Sequence, residues 1–218
     1  MATKIMGNIK NFEWYRLLNI AIEILNHVNI KKELWSFGGG SSIEYYFNHR
    51  KSKDVDIFLK DIQLITYVTP RLNNFAEKYA EDYIEQSNFV KIYFNKSEID
   101  FIVSPKLTEL SPEFYKNDIA FYIEHPVETI LKKLFYRCDS LKIRDFFDLF
   151  VVEKEFNEIW NYIKKIIPEA KLKLIINRID FLISQKEEDF NNSLINLSIN
   201  FKKYNFSKKH LQELKAKL

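Results

Sequence analysis

Apolar positions change their period along this chain. Residues 11–28 place Phe12, Tyr15, Leu18, Ile22 and Leu25 near one face at helical spacing. Residues 34–37 form a short apolar run that leads into glycines and predicts a strand. The pattern then predicts a helix over 43–47, a strand over 55–59, and a helix over 67–80 with Pro70 in its first turn. Residues 89–94 and 98–103 predict a hairpin around Asn95-Lys96-Ser97. From Pro126 onward the period is helical, over 127–137, 143–156, 157–167, 169–184, 187–201 and 207–217, with Pro168 and Ser207 as breaks. The chain therefore predicts an α/β part, residues 1–120, followed by a helical bundle, residues 121–218. No Gly/Pro/Ser-rich linker separates them, so the two are expected to pack firmly.

Chemistry concentrates where the first strand ends. Three of the four glycines are Gly38, Gly39 and Gly40, followed by Ser41 and Ser42. Glycine permits backbone geometries and close approaches that other residues resist, and the serines can cap a helix or offer hydroxyls to a phosphate. Asp54 and Asp56 then alternate with Val55 and Ile57, so the two carboxylates share one strand face. Parallel carboxylates are costly unless a cation lies between them. Mg²⁺ suits such oxygens and keeps room for substrate phosphates. Taken singly, an Asp-X-Asp pair is common on exposed strands and a glycine-serine run is a common turn. In strand–turn–helix–strand order they point to a nucleotide site. The pattern is neither a Walker loop nor a dinucleotide fingerprint. Asp100 stands opposite its apolar neighbours and is either a third carboxylate of that site or an exposed strand residue.

A second polar cluster opens the helical part. Lys133 and Arg137 are four apart and share a helix face, and Asp145 and Asp148 are three apart on the next helix. These groups could converge on a triphosphate, with Asp145 orienting the lysine or taking a proton. They could equally form a structural lattice of ion pairs.

Composition sharpens the picture only a little. A hydrophobic share of 46% over 218 residues is ample for a core. Cys138 is the single cysteine, which excludes an internal disulfide and fits a reducing, cytoplasmic setting. No apolar run suits a membrane span or a signal peptide. The net charge of +3 is uneven: residues 201–218 hold six lysines against one glutamate. That basic helix could meet an RNA backbone, or its lysines could complement a helix end.

The glycine-serine block, the block His49-Arg50-Lys51-Ser52-Lys53-Asp54-Val55-Asp56-Ile57-Phe58, and the later blocks Lys132–Arg137 and Arg144–Leu149 together resemble the AbiEii/AbiGii-type nucleotidyltransferases. That family is a branch of the polymerase-beta-like superfamily. The resemblance spans about residues 34–150 and implies a nucleotidyltransferase fold, a short mixed sheet flanked by helices with a helical bundle behind. It implies transfer of a nucleoside monophosphate from an NTP, with Mg²⁺ or Mn²⁺ bound. Asp54 and Asp56 would be metal ligands, with Asp100 as the third carboxylate. Gly39, Gly40 and Ser41 would contact the triphosphate. Lys133 would bind phosphate, with Lys132 the alternative, and Asp145 would complete the catalytic set. His49, Arg50 and Ser52 would shape the loop, with Arg50 and Ser52 near the nucleotide beside Arg137. Members are often toxins of toxin–antitoxin or abortive-infection systems, which implies an antitoxin partner, and some relatives act on the acceptor end of tRNA. A small-molecule or protein acceptor, or a non-catalytic nucleotide-binding module, stays open as an alternative.

Overall fold

The computed structural model describes residues 9–200 and 203–218. The expectations that fall on the N-terminal eight residues, on Phe201 and on Lys202 lie outside the described residues. The elements run α1 (Tyr15–His27), β1 (Trp35–Gly38), α2 (Gly39–Phe47), β2 (Val55–Leu59), α3 (Ile65–Val68), α4 (Asn74–Tyr79), β3 (Asp82–Glu85), β4 (Phe89–Phe94), β5 (Ser97–Val103), β6 (Glu113–Lys116) and β7 (Ala120–Ile123). The helices α5 (Pro126–Arg137), α6 (Ile143–Glu155), α7 (Ile159–Ile166), α8 (Glu169–Ser184), α9 (Glu187–Ile195) and α10 (Lys208–Lys217) follow.

The strands form one seven-stranded mixed sheet in the order β3-β4-β5-β2-β1-β7-β6. β2 pairs antiparallel with β1 and parallel with β5, and β7 lies parallel to β1. The expected α/β architecture with helices behind the sheet is present. α1 packs on β2 and β5, while α2 packs on β1, β2, α5 and α6. Val55 and Ile57 are fully buried, as the strand alternation requires.

Four stretches of the chain differ from the sequence expectation. The helix expected over 67–80 is two short helices. Thr69 adopts an extended backbone before Pro70, as residues before proline do, and Asn73 restarts the helix by accepting hydrogen bonds from the Phe75 and Ala76 amides at 3.1 and 3.0 Å. β3 was not anticipated because all four of its residues are exposed at the sheet edge, which leaves no alternation to detect. The β6–β7 hairpin was also not anticipated: its strands are four residues each and read as isolated aromatics. The helix expected from 187 stops at Ile195, and Ser198 takes φ 49° before Asn200 donates to the His49 carbonyl at 2.9 Å.

The last helix is tied to the bundle. Lys215 pairs with Asp180 at 2.5 Å, Lys217 with Glu153, and Lys208 donates to the Gln185 carbonyl. Lys203 donates to the Phe47 carbonyl at 3.3 Å. The basic tail thus spends several of its cations on intramolecular partners.

One hydrophobic cluster runs from β1 and β2 through α5 and α6 to α8, α9 and α10. Phe147 is fully buried in it, against Phe150, Tyr204, Phe206 and the His49 ring. Phe147→Ala is expected to lower unfolding free energy by about 3–5 kcal/mol, measured by urea denaturation. A loss under 1 kcal/mol would show that the cluster does not couple the tail to the His49 loop.

Candidate active site

The site is built where β1 turns directly into α2. Gly39 has φ +68°, and a Cβ added there would lie 1.6 Å from Asp56 Oδ2. The antiparallel register sets Gly38 opposite Asp56, so the backbone at 39 presses against that carboxylate. A Cβ at Gly40 would lie 2.5 Å from the Arg50 guanidinium. Glycine is therefore needed at 39, and a side chain at 40 would displace the Arg50 guanidinium.

The loop between α2 and β2 is held from inside. Ser41 is fully buried, and its hydroxyl donates to the Asp54 carbonyl and shares a hydrogen bond with Ser52 Oγ at 2.9 Å. Glu44, also fully buried, accepts from Trp14 Nε1 at 3.1 Å and from the Ser52 amide at 2.8 Å. Burial pushes its carboxyl up to about 6. Ser41 and Ser52 thus bond to each other and to the loop that carries Asp54.

Asp56 and Asp100 face each other across the parallel β2–β5 pair, and Asp54 accepts from the Glu98 amide at 3.2 Å. Burial and the neighbouring Glu98 charge raise the Asp54 carboxyl. Burial, with the Asp56 charge second, pushes Asp100 up to about 7, against the pull of Lys91 at 3.1 Å. Asp100 Oδ1 is buried without a hydrogen-bond partner. Among the described residues, no group of three His, Cys, Asp or Glu side chains is arranged to hold a metal ion. Asp54, Asp56 and Asp100 therefore do not form a closed three-carboxylate cage. Hard oxygen donors, mutual repulsion and an unpartnered buried carboxylate oxygen nevertheless fit a cation completed by water and phosphate oxygens.

The second cluster meets this one through Asp148. Its Oδ1 accepts from Arg50 Nε at 2.8 Å and contacts His49 Nε2 at 2.6 Å; its Oδ2 accepts from Arg50 Nη2 at 2.9 Å and Lys133 Nζ at 2.5 Å. Despite complete burial, Arg50 and Lys133 hold this carboxyl well below the usual range. Lys133 also reaches Asp145 Oδ1 at 3.2 Å, and Asp145 accepts from Arg137 at 3.1 Å and from the Lys142 amide at 3.0 Å. Lys132 points elsewhere, to Glu124 at 2.6 Å and over the Phe58 ring at 4.0 Å. Of the adjacent lysines, only Lys133 joins the aspartates of α6.

Between the clusters lies a polar crevice of about 40 Å³, lined by Asp54, Asp56 and Asp100 and by Lys133, Arg137 and Arg144. Asp56, Lys133 and Arg137 also border a larger pocket of about 300 Å³. Carboxylates and cations therefore share one opening.

The sequence matches the family described as "Nucleotidyl transferase AbiEii toxin, Type IV TA system" over residues 23–214. The chain belongs to the AbiEii family. Among solved structures, this AbiEii protein is similar to MenT4, a nucleotidyltransferase toxin from Mycobacterium tuberculosis H37Rv. Identity there is 14%, with 96% of this chain and 85% of that chain covered and a TM-score of 0.47. It is also similar to a protein described as a nucleotidyltransferase from H. pylori, at 13% identity, with 94% of this chain and 92% of that chain covered and a TM-score of 0.46. No curated protein matches it.

In this AbiEii chain every site residue expected from the sequence lies in or directly behind the opening. Gly39, Gly40, Asp54, Asp56, Asp100, Arg50, Ser52, Lys133 and Arg137 line it. Ser41 and Asp145 stand behind, bonded to lining residues or to their loop. The expectation did not single out Asp148 as the joint between clusters, nor Arg144 and Glu44. The spacing Asp145–Asp148 was visible, but only contact with His49 and Arg50 distinguishes their roles.

Two outcomes follow from this geometry. Gly39→Ala combines a disfavoured φ with overlap on Asp56, and a displacement of about 1 Å at a reacting centre costs about 100-fold in rate. Nucleotide transfer by Gly39→Ala should fall by about that factor, measured beside its melting curve; undiminished transfer would remove the Gly39–Asp56 contact from the site. The second concerns pH. Burial pushes the His49 imidazole down to about 4 despite Asp148 beside it, whereas an unfolded histidine titrates near about 6.5. Between those values the unfolded chain binds a proton that the folded chain does not. The stability from His49 is thus full above about pH 6.5 and is lost as pH falls toward about 4. The raised Glu44 and Asp100 act in the opposite sense, so the comparison is made against His49→Gln. Denaturation midpoints from pH 4 to 7 should fall more steeply on acidification in the wild type; parallel profiles would refute the assignment.

Proposed function

We propose that this AbiEii protein is an NTP-dependent nucleotidyltransferase that moves a nucleoside monophosphate to the end of an RNA, with tRNA the leading candidate, and acts as the toxin of a system with a cognate antitoxin. The observation that carries the reading is the single opening in which Asp54 and Asp56 face Lys133, Arg137 and Arg144. Anionic and cationic side chains held apart by a cleft suit a polyanion that arrives with its own counter-cation.

In this reading Lys133, Arg137 and Arg144 bind the triphosphate. The peptide units at Gly39 and Gly40, at the start of α2, add N–H donors and the positive end of the helix dipole. Asp54 and Asp56 would hold Mg²⁺ or Mn²⁺, and the cation, when bound, supplies Lewis-acid charge neutralisation at phosphate oxygens. An acceptor hydroxyl oxygen attacks the α-phosphorus, its proton passes to water at the open crevice, and the bond from that phosphorus to pyrophosphate breaks. Asp145 positions Lys133 and Arg137 rather than taking the proton, because its oxygens are already committed to three donors. The helical part of the chain is proposed to act as half of the cleft, since it supplies all three cations.

The test is incubation with each labelled NTP, Mg²⁺ and total RNA. Label should enter RNA, and Asp56→Ala should reduce it by at least 100-fold while leaving the melting curve in place. Label in protein or small molecules would reassign the acceptor. Absence of transfer with every nucleotide and acceptor class would overturn the reading.

A further inference from the structure

The 300 Å³ pocket differs in character from the charged crevice beside it. It starts at Gly39 and Asp56 and extends to Asn88, in the turn between β3 and β4. Its volume sits at the lower end for ligand pockets. Phe58, Ile102 and Val103 give it an apolar wall, and its polar lining includes Ser104, Thr129 and Lys132 besides Asp56, Lys133 and Arg137 at the crevice.

Three features of that wall are specific. The Phe58 ring packs closely on Gly38, where an added Cβ would lie 2.3 Å from it, and Lys132 Nζ sits 4.0 Å from its centroid. Tyr136, on α5, is 53% exposed although Lys133 and Leu134 just before it are buried. It thus presents a large aromatic surface at a pocket, where an exposed tyrosine has something to stack on. Asn88 is exposed, and its side-chain amide makes no hydrogen bond among the described residues. Its backbone is nevertheless anchored, with its carbonyl accepting from the Val103 amide at 2.8 Å.

A nucleobase has the complementary construction. It is flat and apolar on two faces and polar at its edge, and it is attached to phosphates through a sugar. The pocket adjoins the proposed phosphate site through Asp56, Lys133 and Arg137, the residues common to both spaces. We propose that this pocket seats the base of a nucleotide, with Tyr136 against one face and Asn88 reading its edge. A carboxamide has both donors and an acceptor, so it favours bases that present the matching pattern. Asn88 and Tyr136 are then specificity-determining residues. The inference rests on the nucleotidyl-transfer reading. The base could belong to the incoming NTP or to the last nucleotide of an RNA acceptor, since both present the same chemistry.

The experiment titrates wild type, Asn88→Ala and Tyr136→Ala with each of the four NTPs in Mg²⁺. Inorganic tripolyphosphate serves as a base-free probe, and RNA oligonucleotides that differ only in their last base form the second arm. Both substituted side chains are exposed, and the variants are first checked for unchanged melting. Tyr136→Ala should weaken nucleotide binding about tenfold, the size of one base–aromatic stack. Asn88→Ala should narrow the spread of affinities among the four bases by about tenfold. Tripolyphosphate affinity should not move in either variant. Effects confined to NTPs assign the pocket to the incoming nucleotide; effects confined to RNA assign it to the acceptor end; each supports a base pocket. Unchanged affinity and selectivity in both arms, or tripolyphosphate binding that falls in step with NTP binding, overturns it. Wild-type binding of tripolyphosphate but equal binding of all bases would defeat the base pocket and leave the transfer reading standing. Failure of wild type to bind NTP or tripolyphosphate at all would defeat both.

Discussion

The structure depends on a carboxylate with no access to solvent. Asp148 is completely buried, and an isolated charge there would be prohibitive. It is tolerated because Arg50 engages it in a fork, Lys133 reaches its second oxygen, and His49 closes the first. Removing one partner from such a buried set typically costs about 3–5 kcal/mol. The carboxylate on α6 thus joins two other places: the loop after α2, which carries His49 and Arg50, and helix α5, which carries Lys133. One carboxylate therefore fixes Lys133 and the loop that delivers Asp54. The arrangement also explains why Arg50 serves the opening mainly through position: among the described residues, its three hydrogen bonds go to Asp148 and to the Lys51 carbonyl of its own loop.

A second constraint acts at shorter range. The contact of Gly39 with Asp56 leaves no room for a side chain, so the start of α2 approaches the carboxylate by backbone alone. The same turn places Gly40 beneath the Arg50 guanidinium. Ser41, a residue later, is turned into the protein and bonds to Ser52 and Asp54. Four consecutive small residues thus perform different tasks: Gly38 clears the Phe58 ring, Gly39 meets Asp56, Gly40 meets Arg50, and Ser41 fastens the loop. A flexible linker of the same composition would make none of these contacts.

Much of this was legible in the residues. Alternation at Asp54–Ile57 predicted which face of β2 carries carboxylates, because strand geometry leaves no choice. Helical spacing from Pro126 onward predicted α5 to α8 closely, because those helices present broad apolar faces. β3 was illegible because a solvent-exposed edge strand has no buried face to record. The division of labour between Asp145 and Asp148 was illegible for a different reason. Both lie near one helix face, and the difference arises from partners about 100 residues away: His49 and Arg50 for Asp148. Likewise, Lys132 and Lys133 are neighbours in sequence, yet the helix turns one toward Glu124 and the other toward Asp145. The basic tail left two readings open, an RNA-facing helix or a solvated helix end, and the structure adds that Lys215 and Lys217 pair with acids on α8 and α6.

The electrostatics of the opening follow from how the two halves are stabilised. On the helical side, buried Asp145 and Asp148 are held low by cations in direct contact, so they are already neutralised without ligand. On the sheet side, Asp54 and Asp100 are held high, with burial and neighbouring carboxylates opposing their charge. The same residue type is therefore satisfied in one cluster and frustrated in the other. A folded chain retains frustrated charge only where surrounding structure enforces it, and such perturbed groups in a cleft are where function concentrates. A ligand that brings positive charge would relieve the sheet side, while its negative charge would meet Arg137 and Arg144 across the crevice. A cation alone satisfies one wall and a phosphate alone the other. In the proposed reading the pairing of the two walls suits a ligand that carries both, as a metal-bound nucleotide does.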